Sequence, residues 1–404
     1  MTLAGVLDLL DTPFRWLVGA SRGSTYLLTR WVFLRALGLI LLIAFISVWV
    51  QIRGLIGSQG ILPAQDLLQA ARRIPSWGGR IHALPSVLWL GASDAALQRV
   101  CAVGGACALL LMLDVAPLVM LAASWTLYLS IVAVGSDFMA FQWDVLLLET
   151  TLLAVLLAPW QLLPGRGAAG TLPALMLFLL WWLLFRLSFE SGVVKLTWGD
   201  PTWRNLSALD FHYYSQPLPT WTAWFMAQLP EWFKRLSVVV TLLLEIGFPC
   251  LMFGPRSLRL VGCAGIMLLQ LMILGTGNYN FFNLLAIAIA LLLLDDRFWS
   301  QVLPQRVIRL VTGPAAGGYV PVPVRLALTV AALALLGLSV ASFARSLAPR
   351  DYGTGGALAL ARAIPQRQRV WIVSGDDHVA QRDRGRRLGR RGALARVRIP
   401  LQAR

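Results

Sequence analysis

A chain of 404 residues that is 58% hydrophobic, with a mean hydropathy of +0.70, has the composition of an integral membrane protein. Only 13% of its residues are charged, where a soluble globular domain carries about a quarter. The net charge of +16 does not imply a nucleic-acid partner: from Asp351 onward twelve Arg against four Asp supply half of it, and the rest lies in loops between apolar runs, where basic residues set membrane orientation.

The predicted elements, in chain order, begin with residues 1–27, a segment suited to a short amphipathic helix on the membrane surface, with Arg15 and Trp16 at the lipid boundary. The first apolar run, 31–50, has roughly the 20 residues a bilayer requires. A Gly- and Pro-rich loop at 51–95 follows, with short helical stretches at most. Further runs lie at 98–113, 115–134, 143–159, 173–195, 236–253, 257–275, 281–295 and 323–343. The expectation is an all-α, polytopic helical bundle of about nine spans. Residues 28–345 make the membrane domain and 346–404 a basic tail. With Arg15, Arg22 and Arg30 in the cytoplasm, Arg166, Arg256, Arg259, Arg297, Arg306 and Arg309 also fall there, and the loops at 51–95 and 196–235 fall outside. The four cysteines lie in apolar runs without ligand spacing, so they read as buried small hydrophobes, and no metal site is expected.

One stretch departs from this apolar background. Residues 186–235 gather His212, Tyr213, Tyr214, Gln216, Trp198, Trp203, Trp221 and Trp224, with Pro201, Pro217 and Pro219. Pro217 and Pro219 forbid one regular helix, and aromatic side chains gain most by packing. The stretch therefore reads as an ordered aromatic extracytoplasmic loop. Arg186, Glu190 and Lys195 stand at the end of the apolar run that feeds it, where charge is costly and calls for a partner. Arg186 and Glu190 share a helix face at i, i+4. Asp144 and Glu149 are five residues apart, about 500° around a helix, so they do not share a face; each is expected to pair inside the bundle, for example with Arg186 or Lys195. Asp210, His212 and the neighbouring tyrosines could form an acid–base set, but no nucleophile elbow accompanies them, and a histidine in an aromatic loop more often anchors it by hydrogen bonds. Glu245, in the middle of an apolar run, requires a partner across the bundle or a proton. GTGNYNFFN at 275–283 lacks the Lys and Ser/Thr of a phosphate loop; it reads as a tight turn whose Asn side chains satisfy its backbone.

The same residues carry a family resemblance. SGVVKL at 191–196, GDPTWRNLSAL at 199–209, HYYSQPLPT at 212–220, FQWDVLLLET at 141–150 and the opening apolar run at 28–63 resemble the lipase maturation factor family. The resemblance covers roughly 25–345, with Trp198 and Ser215 standing where a small polar residue and Thr are expected. It implies a polytopic membrane protein that assists the maturation of secreted proteins, lipases among them. Animal members act in the endoplasmic reticulum; a bacterial-type member would sit in the inner membrane. The family-motif and client-site residues it marks here are Asp144, Glu149, Arg186, Glu190, Lys195, Asp200, Trp203, Asp210, His212, Tyr213, Gln216 and Pro217, with membrane lipids and a secreted client as partners and no cofactor.

A second function class is an integral membrane enzyme, whose polar Lys/His loop above a bundle remotely resembles the membrane domain of vitamin K-dependent carboxylases. Lys195 or His212 would then be the base and a lipid or quinone the ligand. The tail carries a separate expectation. Family members continue with a pattern like YGLF-x-VMTT-x-R-x-E, whereas residues 362–404 are Arg-rich and aperiodic. Codons for Gln368 onward, read one nucleotide later, permit that pattern, so the tail is expected to be unstructured and out of frame.

Overall fold

The structure, a computed structural model, describes residues 3–20, 25–160, 162, 173–216, 218–312 and 321–347. Among these the regular elements are all helices, with no strand. Pro217 lies outside the described residues, as does the expected tail apart from Ser346 and Leu347.

Helix α1 (Leu3–Leu17) packs on the start of the later helix Ala174–Thr197, where Asp11 accepts the Leu175 amide at 2.9 Å and Phe14 meets Phe178. Helix α2 (Leu27–Ile56) overruns the expected span at both ends. Its buried residues Phe33, Leu34, Leu37, Leu41 and Phe45 recur at three- and four-residue spacing, the mark of one packed face. The loop beyond it holds two short helices, α3 (Ala64–Ala71) and α4 (Trp77–Ala83).

Helix α5 (Asp94–Met112) starts where the Ser93 hydroxyl accepts the Ala96 amide. It lays Leu97, Cys101, Gly104, Ala108 and Leu111 against α2. Gly104 is glycine because the Phe45 ring occupies the space a Cβ would need. Helices α6 (Pro117–Val134) and α7 (Gln142–Leu157) continue the packing in order, α5 on α6 and α6 on α7. Helix α8 (Ala174–Thr197) then touches α7, α1 and several later elements.

The aromatic loop is ordered as three short helices, α9 (Pro201–Arg204), α10 (Ala208–Ser215) and α11 (Trp221–Ala227). Helix α12 (Glu231–Leu242) runs through a five-residue π turn, Leu243–Gly247, into α13 (Phe248–Leu251). Helices α14 (Arg256–Thr276) and α15 (Phe282–Ala290) follow, the second prolonged by a 3₁₀ turn at Leu291–Leu293. Helices α16 (Asp296–Val302) and α17 (Gln305–Thr312) pack beside α2, and α18 (Val322–Leu347) lies along α8 and α1.

Six of these helices, α2, α5, α6, α8, α14 and α18, are long and apolar enough to cross a membrane. The other three expected runs are helical too. One is α7, at 16 residues, one is the interrupted helix Glu231–Leu251, and one is the shorter Phe282–Leu293. The molecule is an all-helical, multi-pass membrane protein.

The end opposite the aromatic loop is tied by acidic caps. Asp296 accepts the amides of Leu27 and Leu28 at 2.8 Å and of Thr29 at 3.2 Å, satisfying the start of α2. Its neighbour Asp295 accepts from Arg256 Nε at 2.6 Å and Nη2 at 3.0 Å. The fully buried Trp181 indole donates to Leu292 O at 3.0 Å, beneath the Arg259 guanidinium.

Cysteine burial is uneven. Cys101, Cys107 and Cys263 are buried as expected, but Cys250 is exposed, because α13 turns that face outward from the bundle.

Candidate functional site

The site is built where α8 leaves the bundle. Lys195, in its last turn, reaches across to the π turn and donates to both Glu245 oxygens, at 2.6 and 2.7 Å. Glu245 thus has the cross-bundle partner its depth requires. Two local features permit the approach. The π turn holds one extra residue in a helical turn and re-aims its side chains. Gly192, one turn before Lys195, lacks a Cβ that would stand 2.5 Å from Ile246 Cγ1 and 3.0 Å from Glu245 Cβ.

Trp203 lies over this pair, its ring centroid 5.1 Å from the Lys195 ammonium. It is partly buried, against a small second core of Ala208, Leu209, Tyr213, Ala223 and Val238. That core makes the loop a folded cap. Asp200 holds its start by accepting Thr202 N at 2.9 Å and Thr202 Oγ1 at 2.7 Å, and Arg204 donates to Leu196 O at 2.8 Å.

Asp210 and His212 face different partners. Asp210 pairs with Lys234 of α12 at 2.8 Å, while His212 Nε2 lies 3.4 Å from the Tyr279 hydroxyl. The acid–base set suggested by their closeness in sequence is therefore not assembled. Burial, and then the Lys195 charge, hold the His212 pKa below its ordinary 6.5. Burial raises the Tyr213 and Tyr279 phenols.

The turn at 275–283 is satisfied by the loop and not by its own asparagines. Gln216 donates to Thr276 O at 2.9 Å and to Tyr213 O at 3.3 Å, and Thr222 donates to Gly275 O. Asn283 is wholly buried, and neither of its side-chain polar atoms is hydrogen-bonded. Asn280 takes the left-handed conformation (φ 54°) that turns the chain.

The remaining motif residues form a second polar layer inside the bundle. Asp144 accepts the Tyr128 hydroxyl at 2.6 Å. Glu149 takes Arg186 through both oxygens, at 2.6 and 2.7 Å, so the two acids do point apart. Glu190 accepts Ser346 of α18 at 2.8 Å. The i, i+4 spacing pointed Arg186 at Glu190, but the salt bridge joins α8 to α7 instead. Among the described residues no group of His, Cys, Asp and Glu is arranged to hold a metal.

Sequence reasoning did not single out Tyr279, Lys234, Gly192, Thr222 or Asp296. Tyr279 alone carried a signal, as an aromatic inside a Gly/Asn turn. The others depend on which helices become neighbours.

A family model described as "Lipase maturation factor transmembrane domain" matches residues 28–301. The chain is 46% identical over 291 residues to a Rattus norvegicus protein named lipase maturation factor 2, covering 67% of this chain and 40% of that protein. The corresponding Homo sapiens protein is 44% identical over 289 residues, with the same coverage of both chains. A Bos taurus protein named lipase maturation factor 1 is 35% identical over 292 residues, covering 70% of this chain and 52% of that protein. The chain thus spans about 40% to 50% of the length of these relatives. No solved structure matches it.

Proposed function

The chain belongs to the lipase maturation factor family, and from that premise we propose that it is a membrane-embedded maturation factor that holds a secreted client, such as a lipase, while the client folds or assembles. The site residues serve this role as a scaffold: α8 and the π turn brace the loop from below, and the loop presents its outer face to the client. The loop end then faces the extracytoplasmic side, where a secreted client is found.

One observation carries this reading. The ionisable groups at the base of the loop are engaged within the fold: Lys195 with Glu245, Asp210 with Lys234, and His212 beside Tyr279. Groups so committed give stiffness to a surface. The enzyme reading would ask Lys195 or His212 to face a ligand, and the observed partners favour holding over turnover.

The test follows a secreted lipase expressed with and without this gene, measuring activity per mass of secreted enzyme. Loss of specific activity at unchanged synthesis, together with photo-crosslinking of the lipase from Asn205, supports the proposal. Unchanged specific activity for every secreted lipase of the host rejects it.

A further inference from the structure

One flank of the loop carries large aromatic side chains turned away from its own core. Helix α11 buries Ala223, while Trp221, Trp224 and Phe225, at i, i+3 and i+4, face outward, Trp221 with 76% of its surface exposed. A second exposed apolar row follows in sequence. Trp232, Leu236 and Val239 of α12 and Leu243 of the π turn are exposed at spacings of four, three and four, one stripe along the helix. The Thr222 bond to Gly275 fixes α11 beside the end of α14, a membrane-crossing helix by length and composition, whose Leu258, Val261, Leu268 and Leu271 are also exposed.

A stripe of this kind on a membrane bundle is the surface that meets lipid tails. The aromatic rings stand at its upper edge. Trp and Tyr favour that level because their rings are apolar and their N–H or O–H groups reach the headgroups. Charge is found at the level of the rings: the exposed Arg235 pairs with Glu231 in the first turn of α12, beside Trp232.

We infer that the Trp221–Trp232 ledge is a lipid-binding surface, bedded in the headgroup region of the bilayer, so that the loop is anchored to the membrane along this flank. The ledge is then closed to a client. A client must approach from the other side of the loop, the side of Asp200, Arg204 and Asn205. The inference concerns lipid alone and stands whether or not the client proposal holds.

The experiment uses the full chain in nanodiscs of phosphatidylcholine and phosphatidylglycerol. Cys250 is the exposed cysteine among the four, so Cys250→Ser leaves three buried thiols and a quiet background. Spin labels at Trp221→Cys and Trp224→Cys, and at Asn205→Cys as the aqueous reference, are compared for collision with oxygen and with a water-soluble nickel chelate. At 221 and 224 oxygen should dominate, with nickel access several-fold below that at 205. Nickel access equal to that at 205 overturns the inference. Protection from both reagents at 221 and 224 also overturns it, because protein then covers the ledge.

A second measurement avoids cysteine chemistry. Lipids brominated near the carbonyl should quench part of the tryptophan fluorescence of the unlabelled chain, and Trp221→Phe/Trp224→Phe should remove a measurable share of that quenching. An unchanged quenching amplitude in this conservative variant counts equally against the inference.

Discussion

Lys195 Nζ and the Glu245 carboxylate, fifty residues apart in sequence, meet through two contacts of 2.6 and 2.7 Å. The pair is shielded on the Glu245 side, 6% exposed, and more open at Lys195, 23% exposed. Removing one partner of a buried pair leaves the other charge uncompensated, at about 3–5 kcal/mol when burial is complete. Lys195→Met should therefore cost about 3 kcal/mol, the lower end, because water still reaches the ammonium. The double variant Lys195→Met/Glu245→Leu should be more stable than Lys195→Met alone. Thermal unfolding in detergent measures both, and a double variant weaker than the single would show that the pair is not the brace.

Gly192 is required by close approach. Gly192→Ala places a methyl 2.5 Å from Ile246 Cγ1, and overpacking of this kind costs about 1–3 kcal/mol. Ile246→Ala should restore part of the loss when combined with it. Additive losses in the double variant would mean that the two residues do not compete for the same space.

Trp203 anchors the loop while remaining partly buried. A fully buried tryptophan truncated to alanine costs about 3–5 kcal/mol; here the loss should fall below that range, at about 2 kcal/mol. Limited proteolysis should cut Trp203→Ala between 198 and 230 faster than wild type, with the transmembrane fragments unchanged. Equal cutting rates would remove Trp203 from the role of anchor.

His212 should make the loop sensitive to acid. Its folded pKa lies below the ordinary 6.5, through burial and then the Lys195 charge, so the folded loop binds this proton less readily than the unfolded loop. The stabilisation is fully present above about pH 6.5 and is lost as pH falls through the folded pKa. Protease susceptibility of the loop should rise below pH 6.5 in wild type and stay flatter in His212→Gln. The same acid response in both proteins would place the titrating group elsewhere.

Asp296 should matter at the far end of the bundle. It accepts three amides at the start of α2, and loss of a cap costs about 1–2 kcal/mol. Asp296→Ala should lower the unfolding temperature, and Asp296→Asn less so, since the amide oxygen still accepts. Equal stability of all three proteins would show that the cap is replaced.

The bundle was legible because its apolar runs are long and are broken by Pro, Gly and charge. All nine runs proved helical, though only six are long and apolar enough to cross as unbroken helices. The Glu231–Leu251 helix shows the difficulty: its hydrophobicity is plain, but nothing in its pattern marks the π turn inside it, where Glu245 meets Lys195. Charge told that Glu245 needed a partner without saying which, and offered Arg186 or Lys195 to the acids of 141–150, of which Glu149 does take Arg186. Spacing along one helix also offered Glu190 to Arg186, and that alternative is not the pair that forms. The turn at 275–283 misled in the same way, because its backbone is served by Gln216 and Thr222, sixty and fifty-three residues away. Side-chain spacing reports on one helix at a time, and this site is made between helices.

The bond from Ser346 to Glu190 has a mechanical meaning. Helix α18 buries little of itself, Ala332 alone among its residues, and it is fastened to α8 through Glu190, the Ser339–Trp182 hydrogen bond and the edge-on contact of Phe343 with Trp182, and to α1 through Arg325 and Asp8. Lys195 stands a little over one turn beyond Glu190 on that same rod. A displacement of α18 therefore bears directly on α8 and α1, and through α8 on the brace of the aromatic loop.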